Sequence, residues 1–349
     1  MSRHTRIYYP KVLTRVQLDD YLARGWYRIG QSMMTCRFLV FEEVLRTTIW
    51  TRLPLAGHRF RKGQRKTLRK LRREFDIRVQ RARIDPDRER IYQQYRSEAR
   101  GDRSPNLRSF LLDSGSRSVF DTWEVSFWRG STLVAFSWFD AGETSLQSLL
   151  GAYPPEESKW GLGYASMLVE IEHGMAEGYA HHYTGYVMPG EPAMDYKLRV
   201  GEVEWLDTDG HWRPWSEFDA DDTPLTRLNR ALEDLARNLE SQGIPARVRD
   251  YPLFEAASYD ASLATCYDEP RLVECFPLHH AVSALFVSYD LDRREYDVER
   301  VRRAAGVMRP PDPSVRPRQV ELFMRQETLG HAETAEGVLA VIQGRLESG

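Results

Sequence analysis

One segment of the chain, residues 183–197, brings together residue types that suit a binding pocket. It reads Tyr-Thr-Gly-Tyr-Val-Met-Pro-Gly-Glu-Pro-Ala-Met-Asp-Tyr-Lys. Its aromatic and β-branched start predicts a strand, and Pro189, Gly190 and Pro192 then predict a turn. A strand that ends in such a turn can frame a pocket with tyrosines and a lysine. The alternative is an ordinary strand and loop whose tyrosines belong to the core.

Two carboxylates and one helix start are further candidates for chemistry. Glu124 and Asp140 lie on neighbouring predicted strands, where a carboxylate can hold or deprotonate an amine; a charge pair on the hairpin surface is the alternative. Gly161-Leu162-Gly163-Tyr164 opens a predicted helix, and free backbone N–H groups there can bind an anion or a carbonyl oxygen. A tight turn without a ligand also explains this glycine pattern.

A strongly basic segment lies within a chain whose net charge is only −2. Residues 59–83 contain twelve Lys or Arg and two acidic residues. Residues 63–75 predict a helix with Leu68, Leu71 and Phe75 on its apolar stripe. The polar residues off that stripe predict contacts with nucleic-acid phosphates, with a solvated helix face as the alternative. They are Gln64, Arg65, Lys66, Arg69, Arg72 and Arg73.

Composition restricts the classes of protein that fit this chain. With 349 residues, 42% hydrophobic and 29% charged, it can form a large core in two or three domains. It contains no apolar run of about 18 residues and no apolar N-terminal segment, so we expect neither a membrane span nor a secretory signal. Three cysteines without a CxxC motif indicate a cytoplasmic protein. The nine histidines, including His279-His280, lack metal-ligand spacing.

The predicted elements of residues 119–187 follow the order strand, strand, strand, helix, strand. Alternating residues predict the first three strands, and the helix after Gly161 has Leu168, Ile171 and Met175 at helical spacing. This order is typical of the acyltransferase fold of the GNAT type. We therefore predict an α+β fold with a GNAT-like mixed sheet flanked by helices.

The C-terminal residues predict a separate α/β extension. Thr223-Pro224 starts a helix that runs to about Ser241, with its leucines inward. A second helix is predicted around Val298–Ala305, and a proline-rich loop follows at residues 309–313. The predicted domains are thus residues 1–80, which include the basic helix, residues 81–218, which form the GNAT-like domain, and residues 219–349.

The segment 183–197 resembles the signature of the arginyl- and leucyl-tRNA–protein transferases. That family has approximately Tyr-x-Gly-Tyr-x-x-Pro, then Met-x-Tyr-Lys. The matching residues here are Tyr183, Gly185, Tyr186, Pro189, Met194, Tyr196 and Lys197. Residues 63–69 and 161–164 resemble two further family motifs, and Tyr8–Pro10 weakly resembles a third, so the resemblance covers residues 8–206.

The resemblance implies transfer of an amino acid, of the arginine or leucine type, from aminoacyl-tRNA to the N-terminal α-amine of a protein or peptide. It implies aminoacyl-tRNA as co-substrate, so the nucleic acid expected at the basic residues of 64–73 is tRNA. We expect no further cofactor, no metal and no membrane partner. The catalytic candidates it implies are Glu124, Asp140, Tyr186 and Lys197. The candidates for substrate binding are Tyr183, Gly185, Met194, Tyr196, Gly161, Gly163 and Tyr164.

The chain departs from the family at several points. Family members usually carry an N-terminal cysteine cluster, but the matching residues 30–36 contain only Cys36, and one thiolate cannot build a four-ligand site. Glu191 and Asp195 make the signature segment more acidic. Two alternatives therefore remain: a GNAT-type N-acetyltransferase that uses acetyl-coenzyme A, disfavoured by Trp160 before the helix start, and an inactive tRNA- or RNA-binding relative.

Overall fold

The structure, a computed structural model, describes residues 3–101, 103–113, 115–275, 283–308 and 316–346. Contacts divide the chain into two compact units. The central unit contains Ile7–Thr35 and Thr48–Phe218, and the terminal unit contains Met1–Arg6, Cys36–Thr47 and Asp219–Gly349. The predicted boundary after residue 218 coincides with the end of the central unit, whereas the one after residue 80 falls inside it.

The described residues form both strands and helices. The strands are β1 (Thr5–Tyr8), β2 (Tyr27–Ile29), β3 (Ser32–Cys36), β4 (Phe38–Phe41), β5 (Val44–Thr47), β6 (Ile49–Pro54), β7 (Asp76–Arg81), β8 (Thr122–Arg129), β9 (Thr132–Ala141), β10 (Ser145–Ala152), β11 (His181–Val187), β12 (Glu204–Leu206), β13 (Trp212–Pro214), β14 (Ala246–Asp250), β15 (Arg271–Cys275), β16 (Ser283–Asp290), β17 (Glu295–Met308) and β18 (Arg318–Ala332). The α-helices are α1 (Arg15–Ala23), α2 (Lys62–Glu74), α3 (Pro86–Glu98), α4 (Leu107–Leu112), α5 (Leu162–Ala176), α6 (Pro224–Ser241), α7 (Ala256–Tyr259) and α8 (Ala335–Leu346). Short 3-10 helices include Pro155–Trp160 and Pro192–Arg199.

The central unit is built on an eight-stranded sheet in the order β13-β12-β6-β11-β10-β9-β8-β7. Neighbouring strands are antiparallel except β10 and β11, which are parallel. The parallel pair requires a crossover connection, and α5 supplies it. The predicted order strand, strand, strand, helix, strand is confirmed in β8, β9, β10, α5 and β11.

Alternating side chains of β8 and β9 build a separate core on each face of the sheet. Helices α2 and α5 pack over one face against Phe127, Ala135 and Phe139. Helices α3 and α4 pack over the other face against Phe136 and Trp138. Both faces are therefore covered by helices, and access to the middle of the sheet depends on where its strands separate.

The strands β10 and β11 separate after a short ladder. Their registered pairs end at Gln147 and Tyr183, although both strands continue. Each strand also carries an irregularity just beyond that point, at Ser148–Leu150 in β10 and at Tyr183–Gly185 in β11. We call the region between residues 148–152 and residues 184–187 the strand opening.

The terminal unit is a second mixed structure. Its five-stranded antiparallel sheet has the order β14-β15-β16-β17-β18, with α6 and α8 in contact with its strands. Thr223 caps α6, and Pro224 occupies its first turn, as its sequence predicts. The buried leucines of α6 pack with Phe286 and Val298 in one large core.

Most predicted elements are confirmed, and one predicted element is wrong. The helix expected around Val298–Ala305 is part of strand β17. Val298 and Val301 lie three residues apart, which resembles helical spacing, but in a strand they point to opposite faces, and both are buried. Met175, the last apolar position noted in α5, is 37% exposed. The predicted loop at residues 309–313 and His279-His280 lie outside the described residues.

The structure thus confirms a fold that mixes helices with several sheets. Within the described residues, no helix is both long enough and apolar enough to cross a membrane.

Candidate active site

The segment 183–197 forms β11, a turn and a 3-10 helix that folds back onto the strand. Gly185 has a φ of +92°, which side chains rarely tolerate. A Cβ atom at this position would lie 3.3 Å from the ring of Tyr27 and 3.5 Å from Lys197 Nζ. Gly185 therefore allows an aromatic ring and an amine to approach the backbone at the strand opening.

Lys197 directs its amine back toward β11. Its Nζ donates a hydrogen bond to the carbonyl oxygen of Tyr186 at 2.8 Å, and it lies 5.2 Å from the centre of the Tyr186 ring. Burial lowers the pKa of Lys197 to about 8, with the positive charge of Arg103 acting in the same direction. A lysine with such a pKa can take up and release a proton near neutral pH.

Three aromatic rings pack together beside the strand opening. Tyr27, Trp50 and Tyr186 pack at centroid distances of 5.5–6.4 Å. The Tyr27 hydroxyl donates to the carbonyl oxygen of Ser148 at 3.0 Å, so Tyr27 bridges from β11 to β10 across the strand opening. Burial, followed by nearby Tyr186, raises the pKa of Tyr27 well above its ordinary value, so this hydroxyl stays protonated.

The other predicted tyrosines have different surroundings. Tyr183 is buried in a hydrophobic cluster with Leu18 and Leu22, so its side chain belongs to the core. Tyr196 packs against the cluster that contains Met167 and Ile171, and burial raises its pKa to about 12. Met194 is partly exposed on the 3-10 helix.

The start of α5 is open, as its glycines predict. Gly161 has a φ of +59°, and no side chain caps this end of the helix. Gly163 lies where a Cβ atom would meet the ring of Tyr153 at 3.6 Å. The hydroxyl of Tyr164 donates to the carbonyl oxygen of Arg199 at 3.1 Å, which ties the helix start to the end of the signature segment.

The basic helix α2 is amphipathic as predicted, with Leu68 and Leu71 buried. Among the described residues, no ion pair is found for the exposed Lys66, Arg69 and Arg73, whereas Arg72 pairs with Glu172. The exposed Arg65 also has a partner within the chain, because it donates to the carbonyl oxygen of Phe60.

Gln64 is a correction to the predicted set of tRNA-binding residues. It is 5% exposed, and its Nε2 donates to the carbonyl oxygens of Val200 and Arg199 at 2.8 and 3.1 Å. Its Oε1 accepts from the backbone N–H of Arg61 at 2.7 Å. The side chain joins α2 to the end of the signature segment and does not face solvent.

The two predicted carboxylates are fully buried and fully engaged. Glu124 binds Arg88 through both oxygens and also accepts from Gln80 and Trp138 at 3.0 and 3.1 Å. Such saturation disfavours a role for Glu124 as a base, because its lone pairs are already used.

Asp140 resembles Glu124 in this respect. Its oxygens accept from Arg28 at 2.8 and 3.0 Å and from the hydroxyl of Thr122 at 2.6 Å. Arg28 is itself only 3% exposed. The structure therefore places both carboxylates in closed networks that hold the sheet, in contrast to the expected role toward an incoming amine.

Several residues near the strand opening were not singled out from sequence. Tyr27 and Gln147 come from distant parts of the chain, and Arg103 is an exposed cation that acts on Lys197. Glu191, noted above only as a departure, is buried, pairs with Arg100 at 2.7 Å and caps the 3-10 helix. The only sequence signal near Glu191 is the turn predicted by Pro189, Gly190 and Pro192.

No group of three or more His, Cys, Asp or Glu side chains within the described part of the chain is arranged to hold a metal ion.

A family model of known proteins matches part of the central unit. Residues 87–207 match the family model described as Arginine-tRNA-protein transferase, C terminus. This region is therefore similar to the C-terminal part of the aminoacyl-tRNA–protein transferases. The predicted resemblance is therefore confirmed for this region, which contains β8 to β11, α5 and the signature segment of the transferase family.

Curated proteins with similar sequences are also named as aminoacyl transferases. The chain is 30% identical over 148 residues to an aspartate/glutamate leucyltransferase of Acinetobacter baumannii, which covers 41% of this chain and 48% of that protein. It is 28% identical over 176 residues to an aspartate/glutamate leucyltransferase of Stenotrophomonas maltophilia, which covers 48% of this chain and 68% of that protein. The chain spans about half the length of the first of these relatives.

Solved structures give a weaker likeness. The structure of L-PGS from Bacillus licheniformis aligns with a TM-score of 0.32 at 16% identity and covers 52% of each chain.

Proposed function

We propose that this protein transfers an amino acid from aminoacyl-tRNA to the N-terminal α-amine of a protein or peptide. One observation carries the proposal: within the region matched by the transferase family, Lys197, with its pKa lowered to about 8, reaches the strand opening beside Gly185. The names of the curated relatives support leucine as the donated residue and aspartate or glutamate as the accepting N-terminal residue.

The reaction is an aminolysis of an ester. The nitrogen of the acceptor amine attacks the ester carbonyl of the aminoacyl group, the C–O bond to the ribose breaks, and the amine loses one proton. We assign the uptake of that proton to neutral Lys197, which then returns it to the departing ribose oxygen. Proton transfer by a positioned group accelerates such reactions by about 10²–10⁴-fold.

Tyr186 is the second residue that we assign to this site. Its carbonyl oxygen holds Lys197 Nζ, and its ring borders the amine. Because both contacts come from a single residue of β11, the position of the amine follows the position of the strand. Glu124 and Asp140 enter the proposal only as groups that hold the sheet.

We propose that the tRNA lies along α2 and the start of α5. The exposed cations Lys66, Arg69 and Arg73, which have no ion pair among the described residues, suit backbone phosphates. The uncapped N–H groups after Gly161 suit an anion or a carbonyl oxygen. The co-substrate is aminoacyl-tRNA, and the proposal needs no other cofactor. We place the reaction in the cytoplasm, where charged tRNA is found.

We also propose that the central sheet is of the GNAT type. Its support is the order of β8, β9, β10, α5 and β11, the single parallel pair, and the irregularity in β10 beside the strand opening.

Incubation with charged tRNA tests the proposal. Total tRNA charged with one labelled amino acid at a time is mixed with the protein and with peptides that begin with Asp, Glu, Arg or Lys. We expect labelled leucine on the peptides that begin with Asp or Glu. Absence of label from every peptide, together with thermal stabilisation by acetyl-coenzyme A, would instead support an acetyltransferase.

A further inference from the structure

A buried amide without partners marks the closed end of the strand opening. Gln147 is 0% exposed, and within the described residues neither its Nε2 nor its Oε1 has a hydrogen-bond partner. Buried polar groups are nearly always hydrogen-bonded in folded proteins, and an unpaired one is costly. A group from outside the described residues can therefore complete the hydrogen bonding of this amide.

The position of Gln147 connects it with the proposed reaction. It forms the last registered pair of β10 and β11, opposite Tyr183, so the opening begins at its own residue. On the other side it pairs with Asp140 of β9, whose carboxylate is already bound by Arg28. Asp140 thus gives no partner to the amide, although it is the adjacent acidic group.

Tyr27 stands between Gln147 and the open part of the site. Its hydroxyl approaches the Gln147 amide closely enough for the amide to lower the pKa of Tyr27. The hydroxyl proton is donated to Ser148, so Tyr27 can offer the amide only its oxygen, as an acceptor for Nε2. Oε1 still has no donor within the described residues, and a ligand that donates to Oε1 would complete the amide.

We propose that Gln147 binds the α-amino carbonyl unit of a substrate, an inference that rests on the proposed function. The amide offers one acceptor, Oε1, and one donor group, Nε2, side by side. An α-amino carbonyl unit offers the complementary pair, an amine that donates and a carbonyl oxygen that accepts. Both substrates of the proposed reaction contain it: the aminoacyl ester of the tRNA and the first residue of the acceptor.

The variant Gln147→Met tests this assignment, because Met is similar in size and has no amide. If the amide lacks hydrogen-bond partners in the substrate-free protein, Gln147→Met leaves the thermal midpoint unchanged or raises it. The same variant then loses about 10–100-fold in kcat/KM, the amount expected for two hydrogen bonds. A rise in KM for aminoacyl-tRNA assigns Gln147 to the donor, and a rise in KM for the peptide assigns it to the acceptor.

Gln64→Met is the matched control for stability. Gln64 is equally buried but has all its partners, so its replacement should lower the thermal midpoint. If Gln147→Met lowers the midpoint as Gln64→Met does and leaves both KM values unchanged, buried water or an internal partner satisfies Gln147, and the inference is overturned.

A binding measurement separates this inference from the proposed function. The methyl esters of leucine and arginine carry the α-amino carbonyl unit without tRNA. We expect the wild-type protein to bind at least one ester, with an affinity at least tenfold higher than that of Gln147→Met. A wild type that binds an ester and transfers nothing refutes the proposed function alone, whereas equal ester binding by both proteins refutes the role of Gln147.

Discussion

Two regions of the central unit differ in how completely their polar groups are hydrogen-bonded. On β8 and β9, the carboxylates of Glu124 and Asp140 are each closed by an arginine and by further donors. At the strand opening, Lys197 has one backbone acceptor, and Oε1 of Gln147 has no donor within the described residues. The carboxylate networks are complete without a ligand, and we infer that a substrate completes the groups at the opening.

This difference separates structural charges from chemical ones. A fully buried carboxylate is tolerated when it is paired and hydrogen-bonded, and its lone pairs are then unavailable for a substrate. A desolvated amine with a pKa near 8 remains able to exchange a proton. Two kinds of variant test this difference: one removes the partner of a buried carboxylate, and the other removes the amine of Lys197.

Removal of the Lys197 amine should have the largest effect on the reaction. We expect Lys197→Met to reduce kcat for transfer by about 10²–10⁴-fold, the range for loss of a positioned acid–base group. Its free energy of unfolding should change by only about 1 kcal/mol, because a single hydrogen bond to Tyr186 is lost. Steady-state transfer and denaturant unfolding measure the two quantities.

The pH profile provides the control for this prediction. The pKa of Lys197 lies below its ordinary value, so the neutral amine becomes more abundant as pH rises through about 8. At saturating substrates, kcat should therefore rise with pH and level off above that value. Lys197→Arg stays charged and should remain slow throughout; a wild-type rise centred near the ordinary lysine pKa would contradict the desolvated amine.

Removal of one partner from a closed network should cost stability. Arg88→Met leaves the carboxylate of Glu124 buried without its cation and should lower the free energy of unfolding by about 3–5 kcal/mol. The double variant Arg88→Met with Glu124→Leu should regain much of that loss, since no buried charge remains. Transfer by the folded double variant would support a structural role for Glu124, and loss of transfer at retained stability would restore it as a catalytic candidate.

Reversal of charge on α2 should weaken tRNA binding. We expect Lys66→Glu, Arg69→Glu and Arg73→Glu together to reduce affinity by about 100-fold at low salt and to lower the salt slope by about 3. A matched triple reversal on α6, at Arg227, Arg230 and Arg237, changes the net charge equally. Filter binding over a range of salt concentrations distinguishes them, and equal losses would show that α2 is not the contact surface.

The elements of this site could be predicted from sequence far better than its contacts. The spacing of α2 and the alternation of β8 and β9 are local patterns, and the signature motif marked Lys197. By contrast, Tyr27 meets Gln147 and Gly185 only because the tertiary fold brings β2, a strand of another sheet, against β10 and β11. The burial of Glu124 likewise depends on Arg88 from α3, which no pattern near Glu124 indicates.

Gly185 offers the mildest test of the opening. Gly185→Ala places a Cβ atom against the Tyr27 ring at a φ of +92°, and it should lower the free energy of unfolding by about 1–3 kcal/mol. Gly178→Ala is the matched control, since Gly178 has a φ of +79° and open space around its Cα; there the backbone alone should cost about 1 kcal/mol. Because the extra cost at Gly185 arises from crowding of Tyr27 and Lys197, transfer should fall in Gly185→Ala and not in Gly178→Ala. Equal stability losses with equal transfer would mean that the approach of Tyr27 to β11 is not needed for the site.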